Sequence, residues 1–148
     1  MNNINIVYNI IIDLLLLCSS AHMQHPAITK AEKYLSNTPE FIVEKILIIV
    51  KKYYKITQEQ LNSNDRKPVV VSGRRAYFNL ATTYTSLSPE DIALKIHKER
   101  TTSLNAIKVM NNFQDTNDKE WFEYKRVRDI FLLSINREPE TNEEKKDL

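Results

Sequence analysis

A single glycine, Gly73, serves all 148 residues of this chain. Tight β-hairpin turns need backbone at positive φ, which glycine adopts most readily. Phosphate-cradling loops need several glycines at fixed spacing. With one glycine and five prolines, the sequence predicts an all-α fold. It also excludes nucleotide enzymes of the Gly-rich-loop designs. An apolar share of 42% against 27% charged residues is enough for a packed core, and the length fits one domain with extensions. One cysteine, Cys18, excludes an intramolecular disulfide framework. His22, His25 and His97 lack the further ligands of a zinc site, so no metal or other cofactor is expected.

The chain opens with an apolar run, Ile10 to Cys18. Asp13 interrupts it, no Lys or Arg precedes it, and it is too short to span a bilayer. It reads as an N-terminal extension or loosely packed helix, with Met23 as an alternative start. Secretion, or a membrane-anchored form using residues 4–18, is the weaker reading. A short helix through 26–37 completes an extension over 1–37. Thr38 and Pro39 then announce a helix by cap and first-position chemistry, with apolar residues at 42, 43, 46, 47, 50, 53 and 54. Thr57 caps a second, short helix. Residues 62–73, with Asn, Asp and Pro, read as a loop in which "VVV" forms an extended piece. Ser72 is expected to cap a helix ending near Thr85, with Tyr77, Phe78 and Tyr84 in the core.

Ser88-Pro89-Glu90-Asp91 is a strong helix start: a hydroxyl cap, Pro at the first position and acids in the first turn. That helix covers 89–96. A turn at 97–99 leads to another from Arg100 to Asn112, expected to bury Leu104 and Ile107. A last helix over 118–135 puts Phe122, Val127, Ile130, Phe131 and Leu133 on its apolar face, with Trp121 and Tyr124 in the core or an interface. The division is 1–37, a domain over 38–113, and a C-terminal helix with an acidic tail over 114–148.

A short helix, a tight turn and a second helix form the helix-turn-helix pattern, whose second helix presents its first residues to base edges in the major groove. That position is held by "KERTTS", Lys98 to Ser103. Arg can bond guanine at O6 and N7 together, and a Thr methyl can touch a thymine methyl. The charge agrees: residues 66–108 hold eight Lys or Arg against three acids, whereas 138–148 hold five acids against two Lys. A basic block suits a polyanion. No nucleophile–base pair is legible, so the chain is not expected to be an enzyme.

The order of these residues resembles the C-terminal DNA-binding domain of the bacterial replication initiator DnaA, which has a helical, Trp-repressor-like helix-turn-helix. "YYKITQEQL" is similar to its opening helices, "SGRRAYFNLATTYTSLSPEDIALKI" to its long helix and the first helix of the motif, and "KERTTSLNAIKVM" to its signature. The resemblance implies base contacts from Glu99, Arg100 and Thr101, with Thr102 beside them, and a minor-groove contact from Arg74. It implies phosphate contacts from Arg66, Lys67, Arg75, Lys98, Ser103 and Lys108. Arg100 stands where the family has His, so a related but altered site is expected. The loop has only Arg66 and Lys67 where the family is richer in Arg. No Gly-rich loop accompanies the domain, which implies a stand-alone module without the ATPase part and without bound nucleotide.

The expected function is therefore sequence-specific binding of double-stranded DNA, in replication control or transcription regulation, in the cytoplasm and associated with the nucleoid. The alternative is a helical interaction module that keeps the fold without binding DNA. Its partner would meet the C-terminal helix. The two differ in whether Arg74, Arg75, Lys98 and Arg100 share an available face or are tied up internally.

Overall fold

The computed structural model describes residues 38–135, and every regular element among them is a helix. In chain order these are α1 (Pro39–Tyr54), α2 (Gln58–Asn62), α3 (Pro68–Tyr84), α4 (Pro89–Leu94), α5 (Arg100–Thr116) and α6 (Lys119–Ser134). The readings at residues 1–37 and in the acidic tail, including Cys18, His22 and His25, lie outside the described residues.

The caps follow the sequence. Thr38 Oγ1 accepts from the Phe41 amide at 3.3 Å. Thr57 and Gln60 form a reciprocal capping box. Ser88 Oγ accepts from the Asp91 amide at 3.2 Å, with Pro89 behind it. Each cap satisfies a donor that the first helical turn leaves without an intrahelical partner.

Two boundaries differ from expectation. The "VVV" segment is helical: α3 starts at Pro68, so the loop before it is only 63–67. Pro at the first helical position supplies the start signal, and packing overrides the strand preference of three valines. Ser72 is thus inside the helix and caps nothing; its hydroxyl donates to Glu120 Oε1 at 2.7 Å. At the other end, α5 continues past Asn112 to Thr116.

The core is built around α3. Ala76, Tyr77, Phe78, Leu80 and Ala81 are buried there against Ile46, Ile49 and Val50 of α1. α6 packs into the same core through Trp121, Tyr124, Val127, Phe131 and Leu132. Val127, Ile130 and Phe131 are buried as expected, whereas Phe122 and Leu133 face solvent and Trp121, Tyr124 and Leu132 are buried with the stripe.

Gly73 serves a close approach of helices and not a turn. A Cβ there would lie 2.5 Å from Ile56 Cδ1 and within 3.7 Å of Val50 and Tyr54 side-chain atoms. The left-handed positions that glycine usually fills are occupied by Lys55, His97 and Asn117, at φ of 54°, 55° and 54°. Lys55 and Asn117 cap helices and His97 lies in the turn after α4; for Lys55 and His97 the side chain in that region costs about 1–2 kcal/mol.

Candidate nucleic-acid interface

α4 is fixed to the long helix before α5 departs from it. The Tyr77 hydroxyl, deep in the core, donates to the Ile92 carbonyl at 2.7 Å. Burial pushes this phenol well above its usual range, so it remains a donor. Ile92, Ala93 and Ile96 are buried around it.

The chain then turns through a Schellman-type closure. The His97 amide donates to the Leu94 carbonyl at 3.1 Å, and the Lys98 amide reaches the Ala93 carbonyl at 2.9 Å. His97, with left-handed backbone, is the turn residue that lets α5 start at a new angle.

α5 lies against α3 along Ser103, Ala106 and Met110, all buried. Asn79, itself buried, joins the two helices: its Nδ2 donates to the Arg75 carbonyl at 2.7 Å and to the Ala106 carbonyl at 3.4 Å. Small residues at 103 and 106 allow that approach. The register corrects two expectations. Ser103 has no exposed surface, so it cannot touch a phosphate. Leu104, expected in the core, is 40% exposed. The sequence led the other way because a Ser faces inward and a Leu outward.

The opposite face of α5 is open to solvent. Thr101, Leu104, Asn105, Lys108 and Asn112 are exposed at spacings of three and four residues, which place them on one ridge. Arg100 and Thr102, also exposed, flank its start, and exposed Glu99 precedes it. The predicted base readers Glu99, Arg100, Thr101 and Thr102 are therefore together, with Lys108 two turns further along. Leu104 and Asn105 share their ridge. The sequence signal for them was present, in the 101/104/105/108 spacing.

The other predicted contacts are placed differently. Arg74 is not at the start of its helix, because α3 begins at Pro68. Its guanidinium instead reaches back to the loop. Nε donates to the Leu61 carbonyl at 3.0 Å, Nη1 to Asp65 at 2.6 Å, and Nη2 to Gln60 at 2.7 Å and to Ser63. Four carbonyls, including two from the end of α2, thus occupy the donors expected in the minor groove. The Lys98 ammonium joins the same cluster, donating to the Asn62 and Ser63 carbonyls and to Asn64 Oδ1. Partial burial lowers the pKa of Arg74, with Asp65 opposing the shift. Burial and the neighbouring Arg74 lower that of Lys98. Arg75 pairs with Glu120 of α6 at 2.9 Å and lies over the Phe113 ring. Arg74, expected in the minor groove, and Lys98, expected on a phosphate, instead clamp the loop, and Arg75, also expected on a phosphate, is held by Glu120. Arg66 and Lys67 stay exposed on the loop that the clamp holds.

Among the described residues, no group of three or more His, Cys, Asp or Glu side chains could hold a metal ion. No helix there is long and apolar enough to cross a membrane. No curated protein and no solved structure gives a significant match to the chain. Residues 43–109 match a family model described as the bacterial DnaA protein helix-turn-helix, a span running from the middle of α1 into α5. Together with the all-helical frame and the α4–turn–α5 geometry, that match makes this segment a helix-turn-helix domain of the DnaA C-terminal kind.

Proposed function

We propose that this domain binds double-stranded DNA in a sequence-specific manner, with α5 in the major groove. The observation that carries the reading is the exposed ridge of α5, which starts directly after the turn and bears the ERTT signature at its N-terminal end. Arg100 and Thr101 are the main base readers, with Glu99 and Thr102 beside them. Arg66, Lys67 and Lys108 contact phosphates. The role is replication control or transcription regulation, carried out in the cytoplasm at the nucleoid without nucleotide or metal. With so few available cations, affinity is modest and falls steeply with salt.

Selection of bound sequences from random duplex DNA tests this directly. Enrichment of one motif is expected, and no enrichment would refute it. Replacing Arg100 or Thr101 by Ala is expected to cost about 1–3 kcal/mol per lost base contact and to relax the motif there. Lys108→Ala is expected to weaken all duplexes alike and to reduce the salt slope by about one.

A second reading has one specific support. Arg74, Arg75 and Lys98 are engaged internally, while the outer side of α6 exposes Phe122 at 43% and Leu133 at 53%. A protein-interaction module would use that face of α6. Binding of a protein partner that Phe122→Ser abolishes, with no duplex enriched, would establish it over DNA binding.

A further inference from the structure

The signature residues occupy only the first turn of α5, yet the ridge they begin continues outward through the second. Leu104 and Asn105 lie one turn after Thr101 and one turn before Lys108, and all four are exposed. The side opposite them is the one packed on α3, through Ser103, Ala106 and Met110. A groove that receives Thr101 and Lys108 therefore also receives the two residues between them. An exposed leucine gains nothing from water. Its partner in a groove would be the one apolar group that base pairs present there, the thymine 5-methyl. An asparagine amide presents an NH2 donor group beside a carbonyl acceptor, the pattern that adenine N7 and N6 complete in pairs.

We infer that Leu104 and Asn105 are specificity-determining residues, reading an A·T-containing segment in the major groove: Asn105 takes adenine through its amide and Leu104 takes a thymine methyl. The inference rests on the DNA-binding reading above and extends it from the first turn of α5 to the second. It also accounts for recognition in a protein whose Arg74 is committed to its own loop. Neutral contacts here carry discrimination that the committed cations do not.

The test is parallel selection from random duplexes with the wild type and with Asn105→Ala, Asn105→Arg and Leu104→Ala, followed by titration of the winning duplex with chosen thymines replaced by deoxyuracil. Both positions are exposed, so thermal unfolding of the variants should match the wild type and excludes a folding artefact. Asn105→Ala is expected to lose preference at one adenine by roughly tenfold while keeping the rest of the motif. Asn105→Arg is expected to shift that preference to guanine. Wild-type affinity should drop about fourfold when the right thymine loses its methyl, and Leu104→Ala should abolish that sensitivity.

If the wild type enriches a motif that Asn105→Ala, Asn105→Arg and Leu104→Ala all leave unchanged, the inference is overturned while DNA binding stands. If the wild type enriches nothing, DNA binding itself fails and the inference falls with it.

Discussion

Two sets of cations lie within the same domain and meet opposite fates. Arg100 and Lys108 stand on α5 with their side chains in solvent. Arg74, Arg75 and Lys98 point at oxygen atoms of the protein itself. Charge and residue type do not separate the sets, since each contains Arg and Lys. What separates them is the supply of acceptors nearby: the Glu120 carboxylate for Arg75, and helix-end and loop carbonyls for Arg74 and Lys98. The last carbonyls of a helix have no intrahelical donor. α2 is so short that its end, together with the loop after it, presents a cluster of them. Arg, with a rigid fork of five donors, fits such a cluster well. α5 offers no such cluster at its exposed start, where amide donors are the orphans instead. A basic block read from sequence is thus a sum over two populations, one holding the fold and one available to a partner.

Substitutions can test that division. The largest expected effect is on the clamp. Arg74→Ala removes four bonds to carbonyls and should cost about 2–3 kcal/mol of stability, seen as a lower midpoint in urea unfolding. Arg100→Ala should change stability by no more than about 0.5 kcal/mol. If Arg74→Ala unfolds like the wild type, the clamp assignment is wrong.

Next come the two buried phenols. Tyr77→Phe leaves the Ile92 carbonyl without its donor and should cost about 1–3 kcal/mol. The Tyr54 hydroxyl is buried with no hydrogen-bond partner, so Tyr54→Phe should be neutral or stabilising. Equal losses from both would contradict the role given to the Tyr77 bond in fixing α4.

A smaller gain is expected at the turn. His97→Gly relieves left-handed backbone strain and should stabilise by about 1 kcal/mol. A fall in the unfolding midpoint would show that the His97 side chain contributes something beyond its backbone.

Much of this was legible in the chain, and the misses share a cause. Thr38-Pro39, Thr57 and Ser88-Pro89 were readable because capping is local: the cap and its amide are three residues apart. The all-α fold followed from a near absence of glycine, and the chain closes its turns with Lys55, His97 and Asn117 instead. The start of α3 was missed because three valines favour a strand until packing decides. The facing of α5 was missed because it depends on how closely α3 approaches, which only Ser103 and Ala106 permit. The clamp was invisible because its acceptors are backbone carbonyls, which every sequence has. An Arg–carboxylate pair leaves a trace in composition; an Arg–carbonyl cluster does not.

The central claim is that α5 reads bases while Arg74 and Lys98 hold the loop. It is tested most directly by titrating wild-type, Arg100→Ala and Arg74→Ala proteins against the selected duplex and a scrambled one, at fixed salt. The account predicts that Arg100→Ala loses about 1–3 kcal/mol of the discrimination between the duplexes with its fold intact. It predicts that Arg74→Ala keeps the discrimination at temperatures where it remains folded. Discrimination that is undiminished in Arg100→Ala and vanishes in folded Arg74→Ala would contradict it.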